Sequence, residues 1–133
     1  MAFLWVGIGG FIGAVARFQV GRWLVATDPQ QATIAGISFV GFPLATLTVN
    51  VVGSFLIGLL AFLNIDGATL SENFRLLLIT GVLGGFTTFS SFSLETLQLL
   101  LDGGHVRAIA NIVANLVLCL LFVALGAGLA RAI

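Results

Sequence analysis

Three runs of polar residues interrupt a chain built otherwise of Leu, Val, Ile, Ala, Gly and Phe. Thr46, Asn50 and Ser54 stand four residues apart, so a helix would carry them along one slowly drifting face. Asn111, Asn115 and Cys119 repeat that spacing. The third run is denser. GGFTTFSSFSLET, residues 84–96, holds Thr87, Thr88, Ser90, Ser91, Ser93 and Glu95, with Phe89 and Phe92 between them. Arg17 stands in an apolar stretch upstream. Hydroxyls and amides donate hydrogen bonds, and an aromatic ring presents a positive edge. With an arginine at the mouth of a path, this inventory suits an anion better than a cation.

Each group also has a plainer explanation. A single Ser or Thr is accounted for by interhelical hydrogen bonding, worth about 1 kcal/mol or less in a membrane. A single ring among 12 Phe is accounted for by packing. The side-chain amide of Asn50 has more hydrogen-bonding capacity to satisfy. The combination of three polar stripes argues for a track. Glu95 is open to three readings: a proton carrier in a coupled transporter, a carboxylate near water, or an acceptor for a neighbouring hydroxyl. The stretch Gly84-Gly85-Phe86-Thr87-Thr88 has poor helix propensity and predicts an interruption there, beginning at Gly84-Gly85. Irregular backbone at membrane depth is tolerated where it is buried in protein or lines a cavity. Its freed carbonyls are ligands suited to a hard cation.

Composition sets the medium. The chain has 133 residues, 59% hydrophobic and only 8% charged, with a mean hydropathy of +1.20. A soluble domain carries about 25% charged residues, so the chain reads as an all-α integral membrane protein. Five Arg balance five acids and Lys is absent, which leaves no basic stripe for nucleic acid. Cys119 is the single cysteine, so no intrachain disulfide forms. The start has no basic stretch before its apolar run, which argues against a cleaved signal peptide.

A helix needs about 20 apolar residues to cross the hydrocarbon core. Four candidates meet that length within a single transmembrane domain, residues 1–133: approximately 3–24, 43–63, 74–101 and 106–130. Asp28 and Pro29 mark the first break, and IAGISFVGF reads as a loop near the interface. Pro43 suits a first helical turn. The third candidate is longer than one crossing needs. Asp28, Asp66, Glu72 and Asp102 read as solvated loop charges, and His105 as a loop residue without a role. Gly9 with Gly13, and Gly81 with Gly85, are spaced for close helix contact, although glycine is frequent throughout. If the helices alternate, Arg75 and Arg131 share one side and Arg22 and Arg107 the other, with Arg17 deeper in the first helix. That balance gives almost no positive-inside bias. It points to insertion in both orientations and to a small oligomer such as an antiparallel homodimer.

These motifs carry a resemblance. GGFTTFSSFSLET resembles the third-helix signature of the Fluc (CrcB) family of fluoride channels. TLTVNVVGSFLIG, residues 46–58, is similar to that family's second-helix motif around a pore asparagine. GIGGFIGAVARF, residues 7–18, is similar to its Gly-rich first helix ending in arginine. The fourth helix matches more loosely. The resemblance implies a multi-pass protein of the cell inner (plasma) membrane with its third helix broken mid-membrane. It implies an antiparallel dual-topology homodimer with two fluoride pathways, which conducts fluoride passively out of the cell, lowers its cytoplasmic concentration and confers fluoride resistance. Its partners would be fluoride, the lipid bilayer and a second copy of itself. Phe89 and Phe92 would be the pore rings, Asn50 the pore amide, Ser90 and Ser91 part of the polar track, Glu95 the motif acid and Arg17 the vestibule arginine. Gly84 and Thr87 would hold a structural sodium ion through backbone carbonyls from both subunits. Asn115 and Cys119 depart from the serines of relatives; Asn115 retains donor capacity.

The main rival is a small proton-coupled exporter of cationic compounds that would use Glu95. That class wants an acid deep in the first helix, where this chain has Arg17 and no acid. A non-transporting assembly subunit would not need three polar stripes. An enzyme is not expected, because His105 and Cys119 lie apart and Ser90 has no evident base.

Overall fold

The computed structural model describes residues 1–26, 33–34, 37–38, 41–65 and 68–133. Asp28, Pro29, Asp66 and part of IAGISFVGF lie outside the described residues. Helices Ala2–Ala26, Leu44–Phe62 and His105–Ala132 are continuous, and a third helical stretch occupies Glu72–Leu101 with one interruption. All four are long and apolar enough to cross a membrane. Two-residue antiparallel pairings, 33–34 with 37–38 and 64–65 with 68–69, lie in the connections.

Two residues read as loop positions belong to helices. Glu72 and His105 each open one, and both are exposed. Ser71 caps the third helix, its Oγ accepting the Phe74 N–H at 3.4 Å, and Glu72 adds favourable negative charge to that first turn. Gly103, with φ of +74°, makes the turn that admits the fourth helix at His105.

Glycine sets the packing. The first helix lies against the first half of the third, and the second against the fourth. A Cβ on Gly9 would fall 2.8 Å from Gly81 Cα, and one on Gly85 would fall 2.6 Å from the Gly10 carbonyl. Gly13 faces the Val82 carbonyl just as closely. The small-residue spacing therefore marks a real contact between backbones. Gly58 against the Val123 carbonyl and Gly126 against the Phe55 carbonyl make a second such contact, which the sequence reading did not single out.

The interruption in the third helix falls at the end of the stretch 84–88 expected to carry it, past Gly84-Gly85. Gly84 and Gly85 are helical, in the turn Gly84–Phe86 that follows wide, π-type turns over Leu76–Leu83. The chain leaves the helix at Thr87 (φ −83°, ψ 157°) and Thr88 (φ −153°, ψ 119°), and resumes it over Phe89–Leu101. Gly85 serves the contact with the first helix. The two threonines make the break: Thr87 turns its hydroxyl back to the Leu83 carbonyl at 2.9 Å. Thr88 becomes the N-cap of the second half, a position that favours a side-chain oxygen. That second half leaves Phe89, Leu94, Leu97, Leu100 and Leu101 exposed.

Candidate ion pathway

The extended pair at Thr87–Thr88 is held from the second helix. Asn50 Oδ1 accepts the Thr88 N–H at 2.8 Å, and Asn50 Nδ2 donates to the Thr88 carbonyl at 3.1 Å. The side-chain amide thus gives the Thr88 N–H the acceptor it loses at the break and adds a donor to the Thr88 carbonyl, which is the condition for irregular backbone away from water. Nδ2 also donates to Asn115 Oδ1 at 3.0 Å. The amide orientation follows from this pattern, because its oxygen faces an N–H and its nitrogen faces two oxygens.

A ladder of buried polar side chains continues from there. Asn115 Nδ2 donates to Asn111 Oδ1 at 3.0 Å and to the Asn111 carbonyl at 3.1 Å. Asn111, with no exposed surface, donates to Thr96 Oγ1 at 2.8 Å. Thr96 donates to the Phe92 carbonyl at 2.7 Å. Each amide is partnered, so the ladder ties the fourth helix to the second helix and to the second half of the third through bonds that are costly to leave unmade.

Two cavities flank the break. The larger, about 330 Å³, is lined by Asn50, Ser54, Thr87, Thr88, Asn115 and Cys119, and by the rings of Phe89 and Phe92. Those rings lie 5.3 Å apart, tilted by 54°. Phe92 is 8% exposed and Phe89 75%. No formally charged side chain is among the described residues lining this chamber. The smaller cavity, about 260 Å³, has Arg17, Thr46, Thr88, Ser91 and Glu95 on its walls. Arg17 is anchored there by Nε donating to the Gly85 carbonyl at 3.2 Å. Thr46 donates to Glu95 Oε1 at 2.7 Å, which is the third of the readings left open for that acid. Its Oε2 is buried without a hydrogen-bond partner among the described residues.

The sequence-predicted residues thus divide between two chambers. Asn50, Asn115, Phe89 and Phe92 line one, and Arg17, Ser91 and Glu95 line the other. Ser90 is exposed, its Oγ 3.2 Å from Thr88 Oγ1. Gly84 and Thr87 lie at the end of the first half. The Thr88 amide donates to Asn50 and so does not close a helical bond on the Gly84 carbonyl. Two carbonyls are fewer oxygens than a hard cation takes. They fit a cation only as half of a shared set. The sequence reading missed Thr88 and Thr96 as organising residues. Thr88 had a signal, a hydroxyl immediately before a restarting helix, but Thr96 had none, because its partner is set by tertiary packing.

Comparisons with known proteins place the chain among relatives over nearly its whole length. The chain matches the family model described as CrcB-like protein, Camphor Resistance (CrcB), over residues 4–127. It is similar to the protein named fluoride-specific ion channel FluC of Opitutus terrae, 48% identical over 93% of this chain and 88% of the relative. The protein of that name from Rhizobium meliloti is 46% identical over 97% and 95% of the two chains. That of Ruminiclostridium cellulolyticum is 43% identical over 96% and 91%.

Proposed function

The chain belongs to the CrcB-like family, and from that premise we propose that it is a fluoride-selective channel that lets the anion leave the cell passively. It is a multi-pass membrane protein, and its place is the plasma membrane. The observation that carries the reading is the larger cavity, where neutral amide and hydroxyl groups face two aromatic rings. Fluoride is small and strongly hydrated, so a path must replace its water with donors. Conduction also requires that the ion leave again. Ring edges and neutral donors meet both needs, where a formal positive charge would hold the ion too tightly.

Passive conduction suffices for export. Hydrogen fluoride enters in acid surroundings and releases fluoride inside, and a negative interior drives the anion out. One charge crossing 100 mV gains about 2.3 kcal/mol. No chemistry on a covalent bond is involved.

The working unit of the proposal is an antiparallel dual-topology homodimer with two pathways. The balanced arginines support it, as does the exposure of Phe89, which leaves a pore ring to be covered by a second copy. A two-fold axis would bring the Gly84 and Thr87 carbonyls of both copies into one oxygen set for a structural sodium ion. The third helix is then broken at mid-membrane depth, with Arg17 in the aqueous vestibule. The proton-coupled exporter gains nothing here, because the relatives above are named as channels.

The test is efflux from liposomes holding the purified protein, read with a fluoride electrode while valinomycin collapses the potential. Fast fluoride release with little chloride release is the expected result. Absence of release from well-folded protein would end the channel reading.

A further inference from the structure

The two chambers share one lining residue. Thr88 appears on the walls of both the ring chamber and the Arg17–Glu95 chamber, and no other described residue does. We propose that the Thr88 hydroxyl is the hand-over donor of the channel, the group that passes fluoride between the two chambers. This rests on the fluoride-channel reading above.

Three observations carry it. The first is location: Thr88 is buried and is the described residue that lines both cavities. The second is a movable hydrogen. Thr88 Oγ1 accepts the Ser91 N–H at 3.2 Å. Its own hydrogen has two alternative acceptors, Ser91 Oγ at 3.1 Å and Ser90 Oγ at 3.2 Å. A hydroxyl rotates to suit its neighbours, so this hydrogen can turn to an anion and back, exchanging one acceptor for another. The third is a fixed base. Asn50 clamps the Thr88 backbone on both its N–H and its carbonyl, so only the side chain responds to the ion. The Asn50 amide nitrogen already faces two acceptors, the Thr88 carbonyl and Asn115 Oδ1. It positions the donor, and Thr88 makes the exchange.

The experiment compares unmodified protein with Thr88→Ser, Thr88→Val and Thr88→Asp in the liposome assay. Serine keeps both the hydroxyl and the cap. Valine keeps the shape and loses both. Aspartate keeps a cap for the Ser91 N–H but offers the ion no donor. Thr88→Ser is expected to conduct close to the unmodified rate. Thr88→Val and Thr88→Asp are expected to lose fluoride flux by about tenfold or more, equivalent to roughly 1.4 kcal/mol of barrier, while eluting as folded protein. Should valine fail to fold, unmodified flux in folded aspartate still overturns the proposal, because aspartate both removes the donor and repels the anion. Unmodified flux in either donor-free variant overturns the proposal while the channel reading stands. Loss of flux in Thr88→Ser as well would also overturn it, because the hydroxyl would then not be the determinant. An inactive unmodified protein would instead overturn the fluoride reading beneath it.

Discussion

At the residue scale the two pore rings and the pore amide have different structural burdens. Phe92 is nearly enclosed and its carbonyl accepts the Thr96 hydroxyl, whereas Phe89 projects from the chain. Truncating an enclosed ring removes packing and leaves a cavity. Phe92→Ala is therefore expected to lower stability by about 3 kcal/mol or more, and Phe89→Ala to leave the single chain almost unaffected. Thermal unfolding in detergent, followed beside fluoride efflux, checks this: both variants should lose flux, but Phe92→Ala should lose more melting temperature than Phe89→Ala, whose ring is left largely to the proposed second copy to pack. Asn50→Asp probes the clamp. The carboxylate still accepts the Thr88 N–H, but its second oxygen meets the Thr88 carbonyl and Asn115 Oδ1 without a hydrogen between them. Fluoride efflux should fall by about tenfold or more, since the new carboxylate on the chamber wall repels the anion. Retention of full flux would remove Asn50 from the path.

At the scale of elements, the contact between the first helix and the first half of the third rests on missing side chains. Gly13→Leu would drive a branched side chain into the Val82 carbonyl, where even one Cβ has no room. Overpacking of this kind costs about 1–3 kcal/mol, and the expected readout is a lower melting temperature with separation of that helix pair. Gly7→Leu, where a Cβ meets open space, is the matched control and should change little. The same contact shows what was legible beforehand. The four crossings could be read because length and apolar content decide them, and Gly9, Gly13, Gly81 and Gly85 could be read because their spacing is local. The stretch 84–88 could be read as the place of the break, but not which of its residues carry it. Gly84-Gly85 has the weaker local propensity, but this turn stays helical with Gly85 packed against the first helix, and the irregular backbone falls to Thr87 and Thr88. There, Asn50 supplies a partner from another helix. Likewise Asn111 and Asn115 were visible as a stripe, but that they bond along the ladder to Thr96 and Asn50 follows only from the tertiary arrangement.

At the scale of the molecule, the distribution of arginine bears on orientation. Arg75 and Arg131 both serve the end of the second helix: Arg75 Nη1 reaches the Ala61 carbonyl at 3.5 Å, and the Arg131 guanidinium lies 4.7 Å from the centre of the Phe62 ring. Arg22, 6.0 Å from the centre of the Phe18 ring, belongs with Arg107 to the opposite end. Because positive residues near the helix ends set orientation, this balance leaves the inserting chain without a decisive instruction. The proposed antiparallel dimer needs that indecision, since both orientations must arise from one sequence. A labelling experiment tests it directly. Asp102 is exposed in the turn before the fourth helix, so Asp102→Cys in a Cys119→Ser background places one thiol at one end of the molecule. A membrane-impermeant thiol reagent applied to intact cells should label roughly half of the molecules, with the rest reacting only after permeabilisation, as a chain without positive-inside bias requires. Adding three arginines after Ile133 should then drive labelling toward all or none and abolish fluoride efflux, because a population of one orientation cannot form antiparallel pairs. Complete labelling of the balanced protein from one side would sink the dual-topology dimer, and with it the shared sodium site built across the two-fold axis.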